Sequence, residues 1–174
     1  MFEDYVEDAY HFAIQAGVIP DDRKQRRLYR AAVFYASSAL EAFVNYIADT
    51  LHAGATLAEH ERAFLLDKKF GLRAGEFQIM DSSEYHRLDD KLRLLLAKFC
   101  PAYDVAHEAG WSHLMDLKSL RDEIVHPRGD EEVTPAQYHA HLKRGLNSVL
   151  DIMDRLCNGI FRKPLRKKLR ELTL

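Results

Sequence analysis

Cysteine, glycine and proline are all scarce in this chain. Its two cysteines, Cys100 and Cys157, stand far apart and outside any metal-type pair. That excludes a disulfide framework or a zinc knuckle and fits a reducing compartment. Eight glycines and five prolines in 174 residues leave few places to turn, so the elements must be long. An excess of one charge is missing too: 25 Lys and Arg face 27 Asp and Glu, for a net charge of −2. A protein that coats nucleic acid non-specifically needs a global basic excess, so that class is excluded, while a local basic patch is not. No uninterrupted apolar run approaches the roughly 18 residues of a membrane span. The acidic opening MFEDYVEDAY lacks the apolar region of a secretion signal. These absences predict a cytoplasmic protein with no membrane partner. HExxH, GxSxG and a Gly-rich phosphate loop are also absent, and His107, His113, His139 and His141 are not at ligand spacing. Neither a metal nor a cofactor is expected.

What is present is helical periodicity over most of the length, with no period-2 strand and no repeat. The spacing predicts a helix over 2–16, then a break at GVIPDD. A second helix over about 23–52 begins basic and becomes apolar almost all round in AAVFYASSALEAFVNYIADTL, as a central buried helix would. A third is expected over 57–70, a loop between Gly71 and Gly75, and a fourth capped at Ser82 or Ser83 and closed by Pro101. A fifth runs from about 112 to 125. Thr134 and Pro135 cap a sixth over 135–157, and Asn158-Gly159 breaks or bends it. The tail IFRKPLRKKLREL reads as a basic amphipathic helix. The expected fold is all-α, an antiparallel up-down bundle of about five to six helices. A single domain is assigned to 1–157, with the basic helix of 158–174 packed on it or appended.

Three constellations stand out. In SLRDEIVHPRGDEE, Arg121 and His126 are five positions apart. Inside a helix they point roughly 140° apart. Pro127 biases His126 out of the helical region, so the chain turns there and the histidine can swing back. Arginine forks onto phosphate and histidine moves protons near neutrality, which is what metal-free phosphodiester chemistry needs. The plain alternative is that Arg121 pairs with Asp122 or Glu123 on a solvated face. Chance alone supplies roughly one such Arg–His spacing in a chain of this composition. The second constellation is a polar stripe, Ser38, Glu41, Asn45 and Asp49, on the apolar second helix. Its apolar flanks predict a buried Glu41, which would need a cationic partner such as Arg121; the alternative is a stripe facing solvent, with Glu41 exposed. The third is the tail, where Arg162, Lys163, Arg166, Lys167, Lys168 and Arg170 surround Phe161, Leu165, Leu169 and Leu172. It suits an RNA backbone or a membrane surface, or a leucine face docked on the bundle.

Two stretches together resemble the HEPN family (higher eukaryotes and prokaryotes nucleotide-binding domain). RAAVFYASSALEAFVNYIADTL is similar to the family's early helix with its LEAF-N type core. SLRDEIVHP resembles its R-polar-xxx-H motif, with Arg121 as the arginine, Asp122 as the polar residue and His126 as the histidine. The resemblance spans about 23–156. It implies a HEPN-like bundle and a metal-independent endoribonuclease that acts as a homodimer, with motif helices paired across the interface. Such proteins serve as toxins or phage-defence effectors, so RNA and a cognate antitoxin or regulatory protein are the implied partners. The implied chemistry is attack of a ribose 2′-OH, giving a 2′,3′-cyclic phosphate, with His126 in proton transfer and Arg121 stabilising charge. Asp122, Glu41 and Asn45 take supporting roles, and Arg128, Arg162, Lys163, Arg166 and Lys167 are candidate RNA contacts. Arg128 stands where related toxins often carry a tyrosine, so regulation by nucleotide transfer to that position is not expected. Two other readings stay open: a non-catalytic HEPN-like module for RNA binding or dimerisation, and an unrelated helical adaptor.

Overall fold

The computed structural model describes residues 1–51, 57–127 and 133–174. Among them the elements run α1 (Phe2–Val18), α2 (Asp22–Leu51), α3 (Glu59–Leu65), β1 (Lys68–Arg73), β2 (Glu76–Ser83), α4 (Leu88–Phe99), α5 (Ala109–Val125), α6 (Pro135–Phe161) and α7 (Lys167–Arg170). The chain is mostly α-helical. Side-chain contacts give the directions of the long helices. Phe2 meets Phe43 and Phe12 meets Tyr35, so α1 and α2 are antiparallel. Tyr29 meets Tyr138 and Tyr46 meets Phe161, so α2 and α6 run the same way. Gly145 lies against Leu117 and Gly110 near Ser148, which sets α5 antiparallel to α6.

The core lies between these helices. From α2 it takes Val33, Leu40, Phe43 and Ile47, from α5 Leu114, Leu117 and Leu120, and from α6 Leu142, Leu146, Ile152 and Met153. Among the described residues one helix, α2, is long and apolar enough by length and composition to cross a membrane. Ten of its residues are buried inside the bundle, the pattern a core helix gives. The start of α6 follows the expectation. The Thr134 hydroxyl accepts from the Gln137 backbone N–H at 3.3 Å, and the Gln137 side-chain oxygen Oε1 accepts from Thr134 N–H at 2.8 Å.

Three expectations fail. The chain does contain strands: β1 and β2 form an antiparallel hairpin where the third helix was expected to finish and the fourth to begin. The third helix stops at Leu65, and α4 starts at Leu88 rather than at Ser82 or Ser83. At Asn158-Gly159 α6 continues to Phe161 without breaking. The third failure is the tail: instead of one basic amphipathic helix it is mainly a non-helical strap, with a single short helix, α7. Leu165 and Leu169 bury it against the bundle.

Candidate active site

The C-terminal end of α5 carries the arginine–histidine motif. The helix ends at Val125, as the bias from Pro127 predicts, and His126 takes non-helical angles, φ −127° and ψ 69°. Its N–H still donates to the Asp122 carbonyl at 2.8 Å, so the chain leaves the helix only from His126 onward. The imidazole is exposed. Among the described residues no hydrogen bond, ion pair or ring contact joins it to Arg121. Within one chain the two motif residues are therefore not assembled.

Arg121 lies one turn back, its side chain 38% exposed, and donates to Asp122 Oδ1 at 3.0 Å. Asp122 Oδ2 is 3.7 Å from Lys118 Nζ, and Lys118 is 3.9 Å from Asp89 Oδ1. Arg87 Nε approaches the same Asp89 oxygen at 3.3 Å. Asp89, only 9% exposed, has no well-aligned hydrogen bond to that oxygen. It is held by the two neighbouring cations instead, an ionic contact that does not need hydrogen-bond alignment. The result is a chain of alternating charge, Arg87–Asp89–Lys118–Asp122–Arg121, crossing from the start of α4 to the end of α5.

This chain borders a cavity of about 170 Å³ between α2, α4 and α5. Its floor is apolar, with Leu40, Leu92, Leu114 and Val149. Ser37, Glu41 and Tyr85 also line it. Among the described residues none of these three polar side chains has a hydrogen-bond or ion-pair partner.

The site residues expected from sequence divide clearly. Arg121, Asp122 and Glu41 line this one cavity, whereas His126 and Asn45 do not. Glu41 is exposed rather than buried, as are Asn45 and Asp49 of the same stripe. The reason is that α2 turns one face to solvent, where Phe34 and Tyr46 are exposed as well. Arg121 meets its own neighbour Asp122, as the plain alternative held. In the tail, Arg166 donates to Glu3 at 2.9 Å and Lys168 approaches Glu7 at 2.7 Å, so much of its charge is matched by α1. Lys167 lies 3.5 Å from Glu171. Arg162 and Lys163 are exposed. Arg128 lies outside the described residues.

Sequence reading did not find Lys118, Arg87, Asp89, Ser37 or Tyr85. Lys118 was the one with a local signal, since it precedes Arg121 by three positions and shares its helix face. The others reach the cavity only through tertiary packing. No group of three or more His, Cys, Asp or Glu among the described residues is placed to hold a metal ion. Compared with protein-family models, curated proteins and solved structures, the chain finds no match.

Proposed function

We propose that the protein is a metal-independent endoribonuclease of the HEPN type, acting as a homodimer whose paired α5 ends complete the site. The observation that carries this reading is the placement of Arg121. It stands half-exposed at the mouth of an open cavity, with Asp122 as its carboxylate partner and further N–H donors left for a phosphate. His126 supplies the second element, an exposed imidazole at the end of the same helix. In the proposed step the ribose 2′-oxygen bonds to the adjacent phosphorus and the P–O5′ bond breaks. The 2′-OH proton leaves to a base and a proton reaches the departing 5′-oxygen. His126 takes part in that transfer, and Arg121 stabilises the charge gathered on the phosphoryl oxygens. The products are a 2′,3′-cyclic phosphate and a 5′-hydroxyl. Because Arg121 and His126 of one chain do not meet, a productive cleft combines residues of two chains.

That same separation favours the second reading, a HEPN-like module that binds RNA or dimerises without cutting. A cleavage assay with EDTA present separates the two. Wild type is expected to cut RNA and spare matched DNA. Arg121→Ala and His126→Ala are each expected to lose roughly 10²-fold or more in rate. RNA binding by folded wild type with no cleavage, under every substrate tried, leaves the second reading standing.

A further inference from the structure

We propose that the cavity beside Arg121 receives one unpaired base of an RNA strand, while Lys118 and Arg121 hold the phosphate next to it. This rests on the RNA reading above and specifies what that site recognises.

The floor of the cavity is aliphatic, with Leu40, Leu92 and Leu114. At about 170 Å³ it accommodates a flat ring system rather than a large ligand. Apolar walls favour the faces of such a ring, and its edge then needs polar partners. Ser37 and Glu41 provide them, because neither side chain is engaged among the described residues. Glu41 only accepts, so it suits the N–H groups that base edges present. Tyr85 is 83% exposed beside the mouth and offers a stacking surface.

Charge decides which bearer of a base fits. Three cations at the cavity, Arg87, Lys118 and Arg121, face three carboxylates, Asp89, Asp122 and Glu41. The local sum is near zero. A phosphodiester carries a single negative charge, and a free nucleotide with a terminal phosphate carries more. The balanced rim therefore suits an internal nucleotide of a strand. A base reaches such a recess only when it has left its stack, so the strand is single at that point.

The test uses a short 2′-O-methyl oligonucleotide, which lacks the attacking hydroxyl, and the same strand without bases. Affinities come from fluorescence anisotropy. Wild type is expected to bind the base-bearing strand roughly tenfold more tightly. Ser37→Phe, which fills the cavity, is expected to bring that ratio towards one. Tyr85→Ala, at an exposed position that does not threaten folding, is expected to lower it several-fold. An undiminished preference in both variants overturns the proposal while leaving RNA binding intact. A nucleoside monophosphate that competes with the strand's own affinity overturns it as well, by assigning the cavity to free nucleotides. If wild type binds neither strand, the RNA reading itself fails, and this inference with it.

Discussion

Gly159 shows how one missing side chain sets a helix path. Asn-Gly ordinarily reads as a turn, yet α6 continues through it. A Cβ at Gly159 would lie 2.5 Å from the Phe99 carbonyl oxygen at the end of α4. The glycine is needed for close approach, and its φ is that of an ordinary helix. Gly159→Ala is therefore expected to destabilise the fold by about 1–3 kcal/mol, because backbone, unlike a flexible side chain, yields little. Gly17, near the end of α1, has nothing within 4 Å of the equivalent position. Gly17→Ala is expected to be neutral or to stabilise by about 0.4–1 kcal/mol. Urea denaturation of the two variants should shift the midpoint in opposite directions, or leave Gly17→Ala unmoved. Equal losses from both would sink the close-approach account.

At the scale of elements, the hairpin is the part least written in the sequence. Strands are recognised by alternation of buried and exposed positions, and here neither strand is well buried: in β2 only Ile79 and Met80 are even partly so. With no covered face there is no alternation to read. The long helices, by contrast, each bury a continuous stripe, and α1, α2, α5 and the start of α6 were legible to within a few residues. The motif end of α5 was legible because proline acts locally. The cavity was not, since Ser37, Tyr85, Arg87 and Asp89 meet Lys118 only after α2, α4 and α5 pack. What ties the hairpin down is also non-local. The buried Lys91 ammonium of α4 lies 2.6 Å from Asp67, whose other carboxylate oxygen accepts from His86 N–H at 2.9 Å. Asp67 adopts φ 53°, a left-handed conformation that aspartate tolerates. Lys91→Ala is expected to speed amide exchange across 68–83 while the central amides of α2 and α6 keep their protection. Uniform loss across the molecule would show that hairpin and bundle open as one unit.

A second tie between elements responds to pH. Glu61 of α3 pairs with Lys98 of α4 and accepts from Ala58 N–H at 2.7 Å. The Lys98 contact, with help from that N–H, holds the Glu61 carboxyl below its ordinary 4.5 despite the opposing effect of burial. A carboxyl with a depressed folded value stabilises the fold above its unfolded value, and that contribution is lost as pH falls through the folded one. The stability gap between wild type and Glu61→Gln is thus expected to be full above pH 4.5 and to close below it. Thermal melts across that range read the gap directly, and a gap that widens in acid would contradict the assignment.

For the whole molecule the governing fact is that Arg121 and His126 do not meet within a chain. If the proposed cleft takes Arg121 from one subunit and His126 from its partner, two dead variants complement each other. A heterodimer of Arg121→Ala and His126→Ala has one cleft lacking both residues and one cleft with both. With random exchange of subunits half the dimers are mixed, and each retains one working cleft of two. Activity is then expected to recover to about a quarter of wild type on mixing and co-refolding the two proteins. A cleft that needs both residues from both subunits would stay dead in every mixed dimer, and so would one assembled within a single chain. Recovery near a quarter, from parents that are each inactive, would establish a shared site and fix which subunit supplies each group.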